Sequence, residues 1–178
     1  MSSAAADYAV ERLHDSHCRA PFNCGVPELN RYLHQQAGQD SRRNVAVVYL
    51  LIHRASGVVA GYYTLANTAI LATELPTDRL KKLPRYPLIP ATLLGRLALD
   101  IAHRGLGLGE FLLLDVIFRS LELSRNSVSF AIVVDAKDER AAAFYRRYDF
   151  EPFLKTPGRL FLTMTDADRI FKMPPGNN

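Results

Sequence analysis

The sequence predicts an α/β protein built around one sheet, and three observations carry that expectation. Apolar, β-branched runs alternate with helix-spaced segments through the second half of the chain. A glycine-rich turn lies between a strand-like and a helix-like segment near residues 104–109. With 178 residues, 48% apolar and 22% charged, the chain can bury roughly 70% of its unfolded surface in one core. This composition excludes a disordered chain or a fibre. No apolar run approaches the ~20 residues that cross a bilayer; the candidate around Phe111 to Phe118 is interrupted by Asp115. The start, Met-Ser-Ser-Ala-Ala-Ala-Asp, predicts no secretory leader, so a cytosolic location is expected. One domain over residues 1–178 is expected, with a tail that frays from about residue 172.

The elements follow in order. Tyr8 to Leu13 reads as a short strand. Pro27 opens a helix, because its missing N–H would be unpaired in the first turn anyway. Val26, Leu29, Leu33 and Ala37 share one helical face, and Gly38 is the expected stop. Val45–His53 and Val58–Ala66 read as a hairpin around Arg54-Ala-Ser-Gly57. Residues 73–90 form an irregular excursion with Pro76, Pro84, Pro87 and Pro90, and one helical turn is expected from Thr77 to Leu83. Thr92–Asp100 reads as a strand and Glu110–Leu123 as a helix whose buried side holds Phe111, Leu114, Ile117, Phe118 and Leu121. Ser129–Val134 is apolar on both faces and reads as a central strand. Asp138–Tyr148 reads as a helix and Arg159–Met164 as the last strand, with the chain fading beyond Asp168.

Basic residues outnumber acidic ones by 22 to 18, and 17 of the 22 are arginine. The excess permits a phosphate-bearing partner without requiring one. Arg79, Lys81, Lys82 and Arg85 concentrate it in the proline-rich excursion; Arg42, Arg43, Arg146 and Arg147 could extend the patch. Cys18 and Cys24 make no disulfide framework, and with His14 and His17 they match no zinc spacing. No metal is expected, and the cysteines read as small buried residues.

The turn Arg104-Gly-Leu-Gly-Leu-Gly109 has a specific physical reading. Glycines permit left-handed backbone angles, so successive N–H groups can converge on an anion. The following helix adds its unpaired N-terminal donors and positive dipole end, and Arg104 adds a charged fork. Together they suit a pyrophosphate. A P-loop would need Lys and Ser or Thr after the glycines, but Glu110-Phe111 follow. A dinucleotide fingerprint needs its third glycine one position later. Two readings remain, the pyrophosphate turn of an acyl-CoA transferase and a tight strand-to-helix turn that binds nothing.

Leu97-Ala-Leu-Asp100 with Arg104–Gly109 resembles motif A of the GCN5-related N-acetyltransferases. Asp138-Glu-Arg-Ala-Ala-Ala-Phe-Tyr-Arg-Arg-Tyr-Asp-Phe150 resembles their second signature. The chain is similar, over most of residues 20–165, to the branch that forms the toxins of bacterial toxin–antitoxin pairs. The marks are Phe22-Asn-Cys-Gly25, Leu29-Asn-Arg-Tyr-Leu33, Gly61-Tyr-Tyr-Thr-Leu65, Tyr86-Pro87, Ile89-Pro-Ala91 and Leu94-Gly-Arg-Leu-Ala98. Two positions depart from the pattern. The usual glycine before Phe150 is Asp149, which enters the left-handed region at greater cost, and the position often held by asparagine is Asp138.

The resemblance implies an α/β (α+β) fold with a mixed, mostly antiparallel central sheet, splayed near Leu97 to Asp100 and flanked by helices on both faces. It implies acetyl-CoA as co-substrate, its pantetheine arm along the backbone of Leu97, Ala98 and Leu99. The implied cofactor set continues with Arg104, Gly105, Leu106, Gly107, Leu108, Gly109, Asp138 and Phe144. Tyr145 is the implied general acid for the leaving thiolate, since a phenol with pKa near ~10 is protonated at neutral pH; Tyr148 reads as packing. No strong general base is evident. An ester-linked α-amine needs less help than a lysine, because free α-amines titrate near ~8. This leans toward the acceptor that the toxin branch implies, an aminoacyl-tRNA whose acetylation blocks translation. Arg79, Lys81, Lys82 and Arg85 are then the candidate phosphate contacts. Arg96 either lines the acceptor site or pairs with Asp100 or another acid. A ribbon-helix-helix antitoxin, operator DNA bound and repressed only through the antitoxin complex, and a homodimer are also implied. Transfer to a small amine or protein N-terminus, and a non-catalytic acetyl-CoA-binding regulatory module, stand as alternatives.

Overall fold

The computed structural model describes residues 3–81, 83 and 85–172. Its strands form a seven-stranded sheet in the order β1-β2-β3-β4-β5-β7-β6. These are β1 Tyr8–Arg12, β2 Val47–His53, β3 Val59–Leu71, β4 Leu88–Leu99, β5 Ala131–Asp135, β6 Glu151–Pro152 and β7 Arg159–Thr163. The helices are α1 Pro27–Arg31, α2 Ala37–Arg42, α3 Thr77–Leu80, α4 Leu108–Ser124, α5 Glu139–Arg146 and α6 Met164–Lys172. The β1–β2, β2–β3, β5–β7 and β6–β7 ladders are antiparallel. The expected α/β fold with a mixed, mostly antiparallel sheet is present. The chain divides into two compact units, residues 1–66 with 94–116 and residues 67–93 with 117–178.

In the first unit, β1 pairs with β2 from Tyr8↔His53 to Arg12↔Tyr49, and β2 with the start of β3 from Val47↔Leu65, with a register shift between Leu51 and Ile52. Phe22, Tyr32, Leu33, Val48, Leu50 and Tyr62 form its core, with Val26 and Leu29 packed against them. Thus the apolar face read from Val26, Leu29, Leu33 and Ala37 does point inward. Gly38 does not end the helix. A π-helical turn, Tyr32–Gln36, leads into α2, and Gly38 sits buried within α2 where a Cβ would lie 3.3 Å from Arg42 Nη1 and 3.4 Å from Arg19 Nη1. Its job is close approach. The stop is Asn44, left-handed at φ 55°, with Val45 N–H bonded to Asp40 O and Asn44 N–H to Ser41 O. This is a Schellman closure using asparagine.

In the second unit, β5 is buried along Ala131–Val134, as a central strand should be. Its core includes Ile70, Leu75, Ile89, Val133, Phe153 and Phe161. The chain does not fade at Asp168. Thr163 Oγ1 accepts from Asp166 N–H, and α6 continues to Lys172; the expected fraying tail, residues 173–178, lies outside the described residues. The excursion is more ordered than its prolines suggest: α3 is short, and β4 already begins at Leu88 and includes Pro90.

The register of α4 also differs from expectation. Leu108, Leu112, Leu113, Val116 and Ile117 are its buried apolar residues, while Phe118 is 52% exposed and stacks edge-on with Phe171. Asp115, which breaks the apolar run, accepts a 2.6 Å hydrogen bond from the Tyr63 hydroxyl.

Candidate active site

The expected donor turn is built in the first unit. Gly105 and Gly107 have φ of +78° and +74°, a region that costs an ordinary L residue about 1–2 kcal/mol. A Cβ at Gly105 would meet nothing within 4 Å, so the backbone there faces open space. Gly109 is different. It has no left-handed angle and already lies in α4, so only two of the three glycines are demanded by conformation. Phe111 N–H bonds back to Gly107 O; the N–H groups of Leu108, Gly109 and Glu110, at the start of this 17-residue helix, precede that first bond. A loop with left-handed glycines running into a helix N-terminus fits an anionic pyrophosphate. Leu106 is exposed at the turn and Leu108 is buried beneath it.

Arg104 is exposed beside the turn, with part of its fork already committed. Its Nη2 donates to Cys24 O at 2.5 Å. Leu97, Ala98 and Leu99 end β4, with Ala98 buried and its neighbours half-buried. Gly61 on β3 lets this stretch approach: a Cβ there would sit 2.8 Å from Leu99 Cδ2 and 2.9 Å from Ala98 O.

Arg96 does not pair with Asp100. Its guanidinium lies 3.5 Å over the ring of Tyr32, at the start of the π-helical turn. The Tyr32 hydroxyl donates to Asp40 at 3.0 Å, and burial, then that bond, pushes its pKa up to about 12, with Arg96 pulling the other way. Asp100 instead accepts from Asn23 N–H at 2.7 Å and Ala102 N–H at 2.8 Å. Sequence reading did not single out Asn23, Asn30 or Asp100 as functional. The signal available was the Asn-x-Gly spacing of residues 23–25, since asparagine commonly bonds the N–H two residues on; here Asn23 Oδ1 accepts from Gly25 N–H at 2.9 Å.

In the second unit, Asp138 caps α5, its carboxylate accepting from Ala141 N–H at 2.7 Å. That is the local reason for an acceptor side chain at this position. Tyr145 is 7% exposed, held between Phe144 at 5.3 Å and Phe150 at 5.5 Å between ring centroids. Burial pushes its pKa up to about 12. Among the described residues its hydroxyl has no hydrogen-bond partner, yet it is not among the sealed, unpaired polar atoms. Phe144 also packs edge-on with Tyr148 at 5.5 Å. Asp149 adopts φ 62°, the left-handed angle expected where the family has glycine.

The basic residues of the excursion have unlike surroundings. Arg79 Nη2 is bonded to Glu151 and lies 2.9 Å from Asp166, and the side chain is only 23% exposed. Asp166 is held in turn by Arg169 at 2.9 Å. Arg79 is thus committed to two carboxylates, unlike its basic neighbours. Lys81 and Arg85 are exposed and have no ion pair among the described residues. They line a cavity of about 600 Å³ with Thr77, Leu80, Leu83 and the 64%-exposed Tyr86. Lys82 lies outside the described residues. Arg42 and Arg146 pair with Asp15 and Glu139, and Arg147 lies over Phe144. Cys24 is buried as expected, whereas Cys18 is exposed, against the expectation. No described helix is long and apolar enough to cross a membrane.

No family model matches the chain. It is 32% identical to the tRNA-acetylating toxin of Mycobacterium tuberculosis over 159 residues, 89% of this chain and 93% of that one. Its fold matches that of AtaT complexed with acetyl-methionyl-tRNAfMet at a TM-score of 0.86 and 28% identity, over 93% of this chain and 99% of that one. It also matches AtaTR bound with acetyl-CoA, at a TM-score of 0.81 and 28% identity over 93% and 99%. A third match is the AtaT–AtaR complex bound to DNA, at 0.74 and 25% over 92% and 99%. The sequence marks, the strand–turn–helix and the full-length relative agree: this chain belongs to the GCN5-related N-acetyltransferase toxins, the tRNA-acetylating group of toxin–antitoxin systems.

Proposed function

We infer that this protein transfers acetyl from acetyl-CoA to the α-amine of an aminoacyl-tRNA and so blocks translation. The observation that carries the donor half is the Arg104–Gly109 turn, where two left-handed glycines open onto the N-terminus of α4. There the N–H groups and the uncommitted donors of Arg104 would hold the pyrophosphate, and the backbone of Leu97, Ala98 and Leu99 would flank the pantetheine arm. The acceptor half is supported by the tRNA-acetylating relative and by the tRNA-bound relative of the same fold.

In the reaction the amine attacks the thioester carbonyl and a C–N bond forms. The C–S bond then breaks, the amine proton leaves to water and the thiolate takes a proton. Tyr145 is the group assigned to the thiolate. Its raised pKa keeps the hydroxyl protonated. The desolvation that weakens the phenol as an acid also raises the thiolate's affinity for a proton. No nucleophile is assigned to an acetyl-enzyme; transfer is direct.

Lys81 and Arg85 are the phosphate contacts retained from the excursion, and Arg96, stacked on Tyr32, is assigned to the acceptor. Asp138 and Phe144 support Tyr145 as cap and packing partner. A cognate antitoxin neutralises the enzyme and takes the pair to operator DNA, as the DNA-bound AtaT–AtaR complex supports. A ribbon-helix-helix form for that antitoxin, a homodimer, a cytoplasmic location and one domain over the whole chain belong to the same proposal.

The test is incubation with labelled acetyl-CoA and a charged total tRNA pool, followed by mild base hydrolysis of the ester. Label released as an N-acetyl amino acid supports the reading and names the amino acid. Protein that binds acetyl-CoA but leaves every tRNA unlabelled overturns the acceptor, and directs attention to small amines and protein N-termini.

A further inference from the structure

We propose that the Phe22-Asn-Cys-Gly25 loop is a latch that holds the donor turn in its phosphate-binding shape, with Asp100 and Asn23 as its positioning residues. The proposal rests on the donor role given above to the Arg104–Gly109 turn. Three bonds tie the loop to the segment that enters that turn, and a fourth braces the segment itself. Asp100 Oδ2 accepts from Asn23 N–H at 2.7 Å, while its Oδ1 accepts from Ala102 N–H at 2.8 Å. Ile101 N–H donates to Asn23 O at 2.9 Å. Arg104 Nη2 donates to Cys24 O at 2.5 Å. One carboxylate, 8% exposed, thus joins the loop to the short 3-10 turn Ile101–His103 that immediately precedes Arg104.

The loop is itself braced. Asn30 Oδ1 accepts from Cys24 N–H at 2.8 Å, and Asn30 Nδ2 donates to Asn23 Oδ1 at 2.9 Å. Asn23 Oδ1 also accepts from Gly25 N–H. Gly25 is left-handed at φ +78°, and a Cβ there would lie 3.6 Å from both Arg104 Nη2 and Ile101 Cγ2. Phe22 and Cys24 are buried at 3% and 2%, so the loop is anchored in the core of the first unit. The consequence is specific. Glycines 105 and 107 leave the turn free to take many shapes, and a site that is not pre-shaped loses affinity to ordering. The latch supplies the missing constraint at the turn's N-terminal side. It also aims Arg104, whose remaining donors are directed by the Cys24 carbonyl.

A latch of this kind should matter only for donors that carry a pyrophosphate. The experiment compares acetyl-CoA with acetyl-pantetheine, which lacks that group, in the wild type, Asp100→Asn and Asn23→Ala. Asp100→Asn sets an amide donor against a backbone N–H. It should lower kcat/KM for acetyl-CoA by roughly tenfold or more, the scale of a lost bond to a charged acceptor, through KM rather than kcat. Its loss with acetyl-pantetheine should be at least about fivefold smaller. Asn23→Ala keeps the backbone N–H to Asp100 but removes the brace, and should show the same selectivity at smaller size. It also keeps the test alive should Asp100→Asn fail to fold by circular dichroism. Equal losses with both donors, or no loss with either, overturn the latch. A wild type that fails to bind acetyl-CoA in calorimetry overturns the donor reading instead, and is told apart by that binding result.

Discussion

At the Arg104–Gly109 turn the groups offered to a ligand are main-chain N–H bonds, shaped by two left-handed glycines and the start of α4. On α5 the group on offer is a single phenol, held by Phe144 and Phe150 and shifted by burial. One region makes its chemistry from backbone geometry and the other from side-chain identity. The difference predicts how each should fail. The turn should resist changes of side chain except where a Cβ alters φ, whereas α5 should lose its function with the removal of one oxygen atom.

The largest effect should come from Tyr145→Phe. The ring still packs between Phe144 and Phe150, so the fold and acetyl-CoA affinity should persist while kcat falls by about 10²–10⁴, the range for a positioned acid. Single-turnover acetylation and acetyl-CoA calorimetry on the same sample separate the two. The pH profile sharpens the point. With a pKa of about 12 in the folded protein and ~10 unfolded, Tyr145 is protonated in both states below pH ~10. Its contribution to stability is complete there and is lost as pH rises from ~10 toward about 12. The rate should rise as the acceptor amine deprotonates, near or below pH ~8, and show no falling limb before pH ~10. A basic limb at pH 8–9 that vanishes in Tyr145→Phe would keep Tyr145 as the acid and overturn its raised pKa, whereas an unchanged kcat in Tyr145→Phe would overturn the assignment itself.

The cations of the excursion give the next contrast, because neighbours in sequence have opposite surroundings. Lys81→Ala with Arg85→Ala should raise KM for aminoacyl-tRNA by about tenfold and flatten its log–log salt dependence by roughly one to two. Arg79→Ala should leave the salt slope unchanged and lower the melting temperature, since it abandons Glu151 and Asp166. An Arg79 variant that changed the slope would return that residue to the tRNA surface.

These contrasts also show where the sequence was legible. The left-handed glycines of the turn could be read because φ preference is a property of the residue itself, and the helix that carries Tyr145 because its signature is local in sequence. The strand content of β2, β3 and β5 followed from β-branched runs for the same reason. What escaped depends on partners distant in sequence. Arg79 resembles its basic neighbours until Glu151 and Asp166 arrive from 72 and 87 positions away. Asp100 resembles a strand end until Asn23 is brought to it. The inward face of α4 was assigned one position out of register, with Phe118 inward, because apolar residues occupy nearly every position from Phe111 to Phe118. In such a stretch only the facing core selects a side. Gly38 shows the reverse error, a glycine taken as a stop when Arg19 needed the space.

Within the turn the two kinds of glycine allow a finer test. Gly105→Ala meets no atom within 4 Å, so any effect must come from φ. The left-handed penalty of about 1–2 kcal/mol corresponds to a rise of roughly five- to thirtyfold in KM for acetyl-CoA if the turn shifts to relieve it. Gly109→Ala has no such penalty. Its Cβ would lie 3.6 Å from Leu99 Cδ1, an ordinary contact, and alanine favours helix over glycine by up to about 1 kcal/mol. Its KM should therefore stay within about twofold, with an equal or higher melting temperature. If Gly109→Ala instead raises KM as much as Gly105→Ala while the melting temperature holds, the Cβ must be meeting the donor itself. That outcome would move the pyrophosphate from the turn onto the first residues of α4, and make close approach, rather than left-handed backbone, the reason for the third glycine.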